Sequence, residues 1–407
     1  MNFLFAWRYF RAKKSTNAIN IIAWVSMSAI VVGAASLILV LSVFNGFEDL
    51  VKSLYTSFYP DIKVSAATGK TLTLTADQVK KLRTITGVRA VSLIAEDKGI
   101  LENDGAWVPA YIKGVDDNFT KVTGVAQTLE RGKFDVGTGD HPQAILGSGI
   151  ANTLGVEAEK QLLPLGVYLF RRGSTDYSAD PMASMNHESL VTAGMFRIQQ
   201  DFDEHYVITN IEFVKRMVGL GPEEYSGAEI SIVDPQQVPG VKQIITQQLG
   251  NGYRVQTRYE QNQSLYTVMG TEKWVIYIVL TLILIVAAFN MVGALTMLVW
   301  EKQKDIYVLK ALGANNGMIQ RIFLSEGLLL ALLGGVGGIL LAAAVCLLQI
   351  RYKLIPLQGG SFLIDYYPVK LVATDFLLVL STIGIIALLA SWLPARKAAS
   401  QAIDLKT

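Results

Sequence analysis

The segment EKQKDIYVLKALGANNGMIQR occupies residues 301–321 and stands between two long apolar runs, residues 274–299 and 322–349. Apolar side chains recur in it at Ile306, Leu309 and Leu312, while most of its other positions are polar or charged. Gly313 followed by Ala-Asn-Asn is typical of one helix ending and the next being capped. The pattern predicts a short amphipathic helix that either lies at a bilayer surface or docks into a groove on a soluble partner. A solvated loop is the alternative.

The bulk composition predicts an integral membrane protein with a sizeable soluble part, because 51% of the 407 residues are hydrophobic and the mean hydropathy is +0.36. Residues 45–273 hold 22 Lys and Arg against 28 Asp and Glu, whereas the rest of the chain holds 14 against 6. An acidic middle region argues against a nucleic-acid partner, because phosphate contacts need a basic face. The single cysteine, Cys346, excludes an intrachain disulfide and a zinc site made of cysteines.

Four apolar runs predict membrane spans at residues 20–44, 274–299, 322–349 and 376–393. As a helix, the first run is about 37 Å long and crosses a bilayer core of roughly 30 Å with some tilt. A cleaved signal peptide is the competing interpretation, but its apolar core is normally about half this length. The side chains of the spans are interpreted as apolar, so that no proton or ion relay is expected inside the membrane. In the third span, Gly334 and Gly338 form a small-xxx-small pair that allows close helix contact; glycines that are merely tolerated are the alternative.

The distribution of basic residues predicts the orientation of the spans. Arg8, Arg11, Lys13 and Lys14 precede the first span, and Lys and Arg also occur in residues 300–321 and 394–407. Cytoplasmic loops carry an excess of these residues, so both termini (residues 1–19 and 394–407) and the 300–321 loop are expected in the cytoplasm. Residues 45–273 and the short 350–375 loop are then outside.

Residues 45–273 are expected to form a large α+β domain between the first and second spans. Residues 45–59 continue the first span as an amphipathic stalk that Pro60 ends, and residues 258–272 form a second stalk helix. Strand periodicity over residues 62–64, 88–95 and 107–115, with a helix over 76–84, begins the domain, and a second block of about residues 118–228 is inserted into it. A polar loop at residues 173–188 is either functional or disordered.

No stretch of the chain has the pattern of a catalytic site. Gly69-Lys70-Thr71 lacks the upstream glycine of a phosphate loop, since position 64 is Val64. Gly147-Ser148-Gly149 is preceded by Leu146 and so is not a nucleophile elbow. The three histidines have no metal-like spacing. We therefore expect no catalytic residue, no metal site and no cofactor in this chain, and an ATPase in another chain as the energy source.

Several of these segments resemble a known family. The 1+3 arrangement of spans, the loop EKQKDIYVLKALGA…IQRIFLSEG and the ending PARKAAS resemble the MacB/FtsX-type (type VII) ABC permease superfamily. The opening WRYFRAKK…SVFNGFE and the segment VAAFNMV…VWEKQKDI are similar to the lipoprotein-releasing permeases LolC and LolE. The likeness is strongest over residues 3–60 and 258–407. It implies a multi-pass inner-membrane protein that extracts lipoproteins by transmitting ATP-driven motion.

The resemblance also implies partners and site residues. The partners are a LolD-like cytoplasmic ATPase that binds ATP and Mg, a second permease copy or paralogue, a triacylated lipoprotein, a LolA-like periplasmic carrier and membrane lipids. The expected ATPase-coupling residues are Glu301, Lys302, Lys304, Ile306, Leu309, Lys310, Leu312 and Gly313. The expected lipoprotein cavity, between the first and second spans, is lined by Val40, Val43, Phe44, Phe47, Met269 and Ile276. Pro181, Met182 and Met185 are the expected carrier-binding residues.

Two other functions have the same coupling segment. A MacB-like exporter of peptides or small molecules is one, although MacB-type chains usually carry a fused N-terminal ATPase, and only 19 residues precede the first span here. An FtsX-like transducer that activates an external hydrolase is the other. The sequence also leaves open whether the chain plays the LolC part, the LolE part, or both as a homodimer.

Overall fold

The computed structural model describes residues 17–156, 164–172, 185–357, 364 and 366–400. The chain divides into two compact units. The membrane unit comprises Met1–Leu50, Thr267–Leu357 and Tyr366–Thr407, and the extramembrane unit is formed mainly by Val51–Tyr266.

Twelve helices and twelve strands are numbered here in chain order over the described residues. The helices are α1 Asn17–Phe58, α2 Ala76–Thr84, α3 Phe119–Val122, α4 Ser148–Leu154, α5 Gln200–Asp203, α6 Ile211–Val218, α7 Val238–Leu249, α8 Arg258–Gln261, α9 Gln263–Glu301, α10 Gln303–Ala311, α11 Asn316–Tyr352 and α12 Ala373–Ser400. The strands are β1 Ile62–Ala66, β2 Leu72–Thr73, β3 Val88–Asn103, β4 Ala106–Val115, β5 Leu129–Gly132, β6 Gln143–Gly147, β7 Leu165–Phe170, β8 Met185–Phe196, β9 Tyr206–Asn210, β10 Glu224–Tyr225, β11 Gly227–Ile232 and β12 Tyr253–Thr257.

Four helices of the described chain, α1, α9, α11 and α12, are long and apolar enough to cross a membrane. In the membrane unit α1 packs on α11 at the two glycines of the small-xxx-small pair. A Cβ atom added to Gly338 would lie 2.4 Å from the carbonyl oxygen of Val31, and one added to Gly334 would lie 3.0 Å from a methyl of Ile30. The pair therefore does bring two helices into close contact, as predicted.

One sheet runs through the extramembrane unit. Its strand order is β12-β1-β11-β3-β4-β9-β6-β8-β5, and β7 pairs with β3 and β8. The β4–β9 and β6–β8 pairs are parallel and the remaining pairs are antiparallel. β3 is 16 residues long and borders two apolar cores, one formed with α2 and α7 and one with α4 and α6. The inserted block and the block around it thus share strands instead of forming separate sheets.

Several predicted elements can be compared with the observed ones. The helix at Ala76–Thr84 is found as predicted, and a capping box between Thr75 and Gln78 fixes its start. β3 continues beyond residue 95 because its distal half pairs with both β4 and β7. The second stalk consists of two helices. A second capping box, at Thr257 and Glu260, starts α8, and the helix is interrupted at Asn262 before α9 begins.

Candidate functional site

The segment at residues 301–321 contains the short helix α10, joined to α11 by a tight turn. Gly313 has a φ of +93°, a conformation that glycine adopts readily. Asn315 then caps α11, because its side-chain oxygen accepts the backbone N–H of Met318 at 2.8 Å. The predicted helix stop and cap are therefore both present.

One face of α10 is fixed to the ends of the apolar helices. Ile306 is fully buried, and Lys310 Nζ donates to the carbonyl oxygen of Ala399 at 2.9 Å. The core around Ile306 is formed by Leu298, Val299, Ile319, Phe323, Ala395 and Ala398. Since these residues belong to α9, α11 and α12, the short helix is packed against all three.

The opposite face of α10 exposes an apolar strip. Val308 is 59% exposed and Leu312 is 79% exposed, and the two lie one turn apart. Lys304 is exposed one turn before Val308, and Gly313 is exposed beside Leu312. Glu301, Lys302, Leu309 and Lys310 are half-buried. The expected coupling residues thus divide into an inner set that holds the helix and an outer set; Val308 belongs to the outer set, and the i, i+4 spacing to Leu312 could have identified it.

The six expected cavity residues all keep exposed surface in the membrane unit. Val40, Val43, Phe44 and Phe47 lie on α1, and Met269 and Ile276 lie on α9. Phe47 also packs edge-on against Tyr367, with 5.8 Å between ring centroids. Asn45 lies within the α1 group in sequence, and Lys273 lies within the α9 group. The Lys273 ammonium donates to Asn45 Oδ1 at 2.7 Å and so connects α1 to α9.

The expected carrier-binding residues lie only partly within the described chain. Pro181 and Met182 are outside the described residues. Met185 is the first residue of β8 and pairs with Phe170 at the end of β7. The predicted loop at residues 173–188 is therefore too long at its second end, because residues 185–188 belong to the β7–β8 hairpin.

The third apolar helix carries a charged residue that the sequence interpretation overlooked. Glu326 is the only carboxylate within residues 322–349 and is almost fully buried in α11. Its neighbour Gly327 packs against Ser391 of α12. A buried carboxylate in a span is costly and so is a useful signal, and it corrects the expectation of purely apolar walls.

In the extramembrane unit, the end of α1 packs into an aromatic cluster. Phe58 stacks on Phe202 of α5 with 4.4 Å between centroids and lies 4.6 Å from Tyr206 of β9. Tyr55 and Tyr59 also contact Phe202. Burial raises the pKa of the Tyr59 and Tyr206 hydroxyls well above the usual value, so both phenols are neutral at physiological pH.

A buried ion pair lies beneath this cluster. Lys113 Nζ of β4 is 2.6 Å from Glu229 Oε1 of β11, and both side chains are almost fully buried. The same ammonium group lies 4.9 Å from the ring centroid of Phe58 and 5.1 Å from that of Phe119. Sequence analysis missed this pair because its members are 116 positions apart.

The sequence matches known families along most of its length. The family model for the FtsX-like permease C-terminal region matches residues 277–403, and the model for the MacB-like periplasmic core domain matches residues 23–170. The chain is 26% identical to the lipoprotein-releasing system transmembrane protein LolE of Haemophilus influenzae, over 98% of this chain and 96% of the relative. It is 25% identical to LolC of Neisseria meningitidis, over 96% of this chain and 95% of the relative.

Among solved structures, the periplasmic region of MacB from Actinobacillus actinomycetemcomitans matches 54% of this chain and 98% of its own, with 12% identity and a TM-score of 0.37. The family assignment depends on the sequence matches. The predicted architecture, four membrane spans in a 1+3 arrangement with an α+β periplasmic domain after the first, is confirmed. The chain is a multi-pass inner-membrane protein of the MacB/FtsX-type ABC permease superfamily, in which LolC and LolE are its relatives along nearly the whole sequence.

Proposed function

We propose that this chain is the membrane subunit of an ATP-driven complex that extracts lipoproteins from the inner membrane. In this proposal a separate LolD-like subunit hydrolyses ATP, and the chain itself is not catalytic. The observation that carries the proposal is the two-sided environment of α10: Ile306 holds one side in the bundle, while Val308 and Leu312 present an apolar strip on the other. Relatives spanning nearly the whole chain are named as components of lipoprotein-releasing systems.

The packing of α10 suggests how force enters the membrane unit. A partner that docks on Leu312 and Val308 would push a helix whose inner side contacts α9, α11 and α12. Because packed interiors yield little, a displacement of α10 would move the ends of these three helices together. In the extramembrane unit, the contact between Phe58 and Phe202 would make α5 follow a displacement of the end of α1.

The orientation follows from the positive-inside rule. Both termini and α10 would be cytoplasmic, where the ATPase is, and the extramembrane unit would be periplasmic. Val40, Val43, Phe44, Phe47, Met269 and Ile276 would contact the acyl chains of a triacylated substrate, because exposed apolar side chains offer the dispersion contacts that such chains need. A second permease copy or paralogue would complete the passage.

A periplasmic carrier of the LolA type would receive the substrate through Pro181, Met182 and Met185, which lie in sequence between the end of β7 and the first residue of β8. Replacing Pro181 and Met182 by glycine should leave ATP hydrolysis unchanged and reduce transfer to a purified carrier at least tenfold. The same replacement at Asn103, the last residue of β3, and at Asp104 in the β3–β4 turn is the control. Normal transfer by the Pro181/Met182 variant would reject this site.

Purification from membranes in mild detergent, followed by mass spectrometry of the bound components, tests the proposal. We expect an ATPase and triacylated lipoproteins to accompany the protein. An ATPase with a cell-wall hydrolase and without lipoproteins would support the transducer function instead. An ATPase without either of these partners would favour an exporter of peptides or small molecules.

A further inference from the structure

A polar network joins three helices in the membrane unit, close in sequence to the expected cavity residues. Asn45 Nδ2 on α1 donates to Asp375 Oδ2 on α12 at 2.6 Å. Lys273 Nζ on α9 donates to Asn45 Oδ1 at 2.7 Å and lies 3.6 Å from Asp375 Oδ1. Asn45 is 5% exposed and Asp375 is 7% exposed. Their side chains are therefore removed from water and satisfied by each other.

The segment that precedes α12, residues 366–372, strengthens the connection between α1 and α12. The backbone N–H of Lys370 donates to the carbonyl oxygen of Ser42 at 2.9 Å, and the Lys370 ammonium pairs with Asp49. A Cβ atom added to Gly46 would lie 2.3 Å from the carbonyl oxygen of Pro368, so only glycine permits this approach. With the contact between Phe47 and Tyr367, every residue of the Asn45-Gly46-Phe47 motif takes part in holding α1 against this segment.

The two connections made by the network differ in strength. The α1–α12 connection combines a short buried hydrogen bond, a backbone hydrogen bond, an ion pair and an aromatic contact. The α9 connection depends on the ammonium of Lys273, which is 31% exposed, donates to Asn45 Oδ1 at 2.7 Å and lies at the longer distance of 3.6 Å from Asp375. A partly hydrated ion pair costs little to break, whereas a buried one is expensive to break. Of the two polar connections in this network, the one to α9 is therefore the easier to break, although Tyr277 of α9 is also hydrogen-bonded to Thr382 of α12.

We propose that Lys273 is a releasable latch between α9 and the fixed α1–α12 pair, and that its release opens the passage between the first and second spans. The inference rests on the proposed function, in which acyl chains pass between these spans. Lys273 is then a positioning residue: it holds α9 closed, and Asn45 and Asp375 remain paired when it leaves. Asp375 keeps its hydrogen bond from Asn45 in the open state, so opening does not leave a bare buried carboxylate.

The latch can be tested by measuring distances between spin labels in the full chain. The sample is the chain with its ATPase in lipid nanodiscs, without nucleotide. Labels at the exposed positions Val40 on α1, Val275 on α9 and Leu377 on α12 report the α1–α9 and α1–α12 distances. In Lys273→Met we expect the fraction of molecules with a long α1–α9 distance to be at least threefold larger than in the protein with Lys273. The α1–α12 distance distribution should be unchanged. Lys273→Arg keeps the cation and should restore the closed distribution.

Two results would overturn the latch. An unchanged α1–α9 distribution in Lys273→Met would show that the side chain does not hold α9, and broadening of both distributions would show that it only stabilises the bundle. Lys273→Ala, which also removes the ammonium and its hydrogen bond to Asn45, answers the same question if the methionine variant does not fold. Lys397→Met, which removes an exposed ammonium near the far end of α12, is the matched control and should change neither distance.

A second arm separates the latch from the proposed function. A tripalmitoylated cysteinyl peptide should increase the fraction of molecules with a long α1–α9 distance in the protein with Lys273. The same peptide without acyl chains should not change this fraction. Lys273→Met could increase the α1–α9 distance while the lipopeptide leaves this distance unchanged in the protein with Lys273. That result would support the latch and contradict lipid extraction by this route.

Discussion

At the scale of single residues, the pair of Lys113 and Glu229 shows what a buried charge requires of its surroundings. Lys113 belongs to a strand that is otherwise largely apolar, and it is tolerated because Glu229 and the rings of Phe58 and Phe119 surround its ammonium group. The strand containing Lys113 was predictable from its periodicity. Its partner was not, because nothing in the local sequence specifies which residue of a distant strand lies opposite.

Lys113→Met should destabilise the extramembrane unit by about 3–5 kcal/mol, because it leaves the Glu229 carboxylate buried without its counter-ion. The double variant Lys113→Met/Glu229→Leu should recover most of this loss. Hydrogen exchange of the β4 and β11 amides in the detergent-solubilised full chain measures the change. Lys70→Met, which breaks an exposed pair with Asp97, is the control and should cost no more than about 1 kcal/mol. A similar effect of Lys70→Met and Lys113→Met would contradict this account.

Asp203 should give the extramembrane unit a distinctive pH dependence. Burial raises the pKa of this carboxyl from 3.8 to about 6, although hydrogen bonds from the backbone of Ile198 and Gln199 partly oppose the rise. Between about pH 4 and pH 6 the folded state therefore keeps a proton that the unfolded state has lost, so stability falls as the pH rises, by up to about 3 kcal/mol.

Thermal unfolding of the full chain at a series of pH values tests this behaviour. In Asp203→Asn the fall between about pH 4 and pH 6 should largely disappear, because asparagine does not titrate and still accepts the Ile198 N–H. Asp201→Asn, an exposed carboxyl two positions away, should keep the fall. An unaltered pH profile in Asp203→Asn would assign the titration to another group.

At the scale of elements, α10 was predictable in position and type but not in orientation. Its apolar residues at Ile306, Leu309 and Leu312 indicated one apolar face. In the structure Ile306 faces the bundle while Leu312 is exposed, because six positions place the two residues about 120° apart around a helix. The exposed strip is therefore Val308 and Leu312, and only the packing of α9, α11 and α12 decides which residues face outward.

Val308→Asp/Leu312→Asp should reduce association with the ATPase at least tenfold while leaving the protein inserted in the membrane, because two charges would replace the apolar strip. The same variant should lose lipoprotein release. Co-purification with a tagged ATPase measures the effect. Leu354→Asp, an equally exposed leucine just beyond the opposite end of α11, is the matched control. Retained association in the double variant would remove α10 as the coupling element.

The contact between α1 and α11 should be sensitive to a single methyl group. Gly338→Ala brings a Cβ atom to 2.4 Å from the Val31 carbonyl oxygen, so the helices must separate, at a cost of about 1–3 kcal/mol. Gly384→Ala on α12 adds the same atom where no heavy atom lies within 4 Å. The thermal unfolding midpoint in detergent should fall for the first variant and stay within 1–2 °C of the unmodified protein for the second. Equal midpoints would show that the glycines are merely tolerated.

At the scale of the whole molecule, the sequence predicted the architecture because its signals are local. Apolar runs of membrane length identified the spans, and the change of periodicity after Pro60 identified the α+β domain. The continuous sheet was not predictable, since the parallel β4–β9 and β6–β8 pairs join distant segments. The expectation of an inserted second block came from the order of elements along the chain. Strands of that block, β7 and β9, pair with β3 and β4 of the surrounding block.

The coupling, cavity and carrier-binding roles of the candidate site residues stay predictions. The coupling segment and the cavity residues came from local patterns and from the family resemblance. Glu326 was missed because apolar neighbours on both sides hide a single charge in a hydropathy average. The Asn45–Lys273–Asp375 network was missed because it joins three spans, and the order of the spans along the chain does not specify which polar side chains meet.

Reconstitution of the protein with its ATPase and a triacylated lipoprotein in liposomes tests the central claim most directly. The measured quantity is the lipoprotein recovered on a soluble carrier after ATP addition. The account predicts ATP-dependent release that is lost in Val308→Asp/Leu312→Asp and retained in Leu354→Asp. ATP hydrolysis that proceeds normally while all of the lipoprotein stays in the membrane would contradict it.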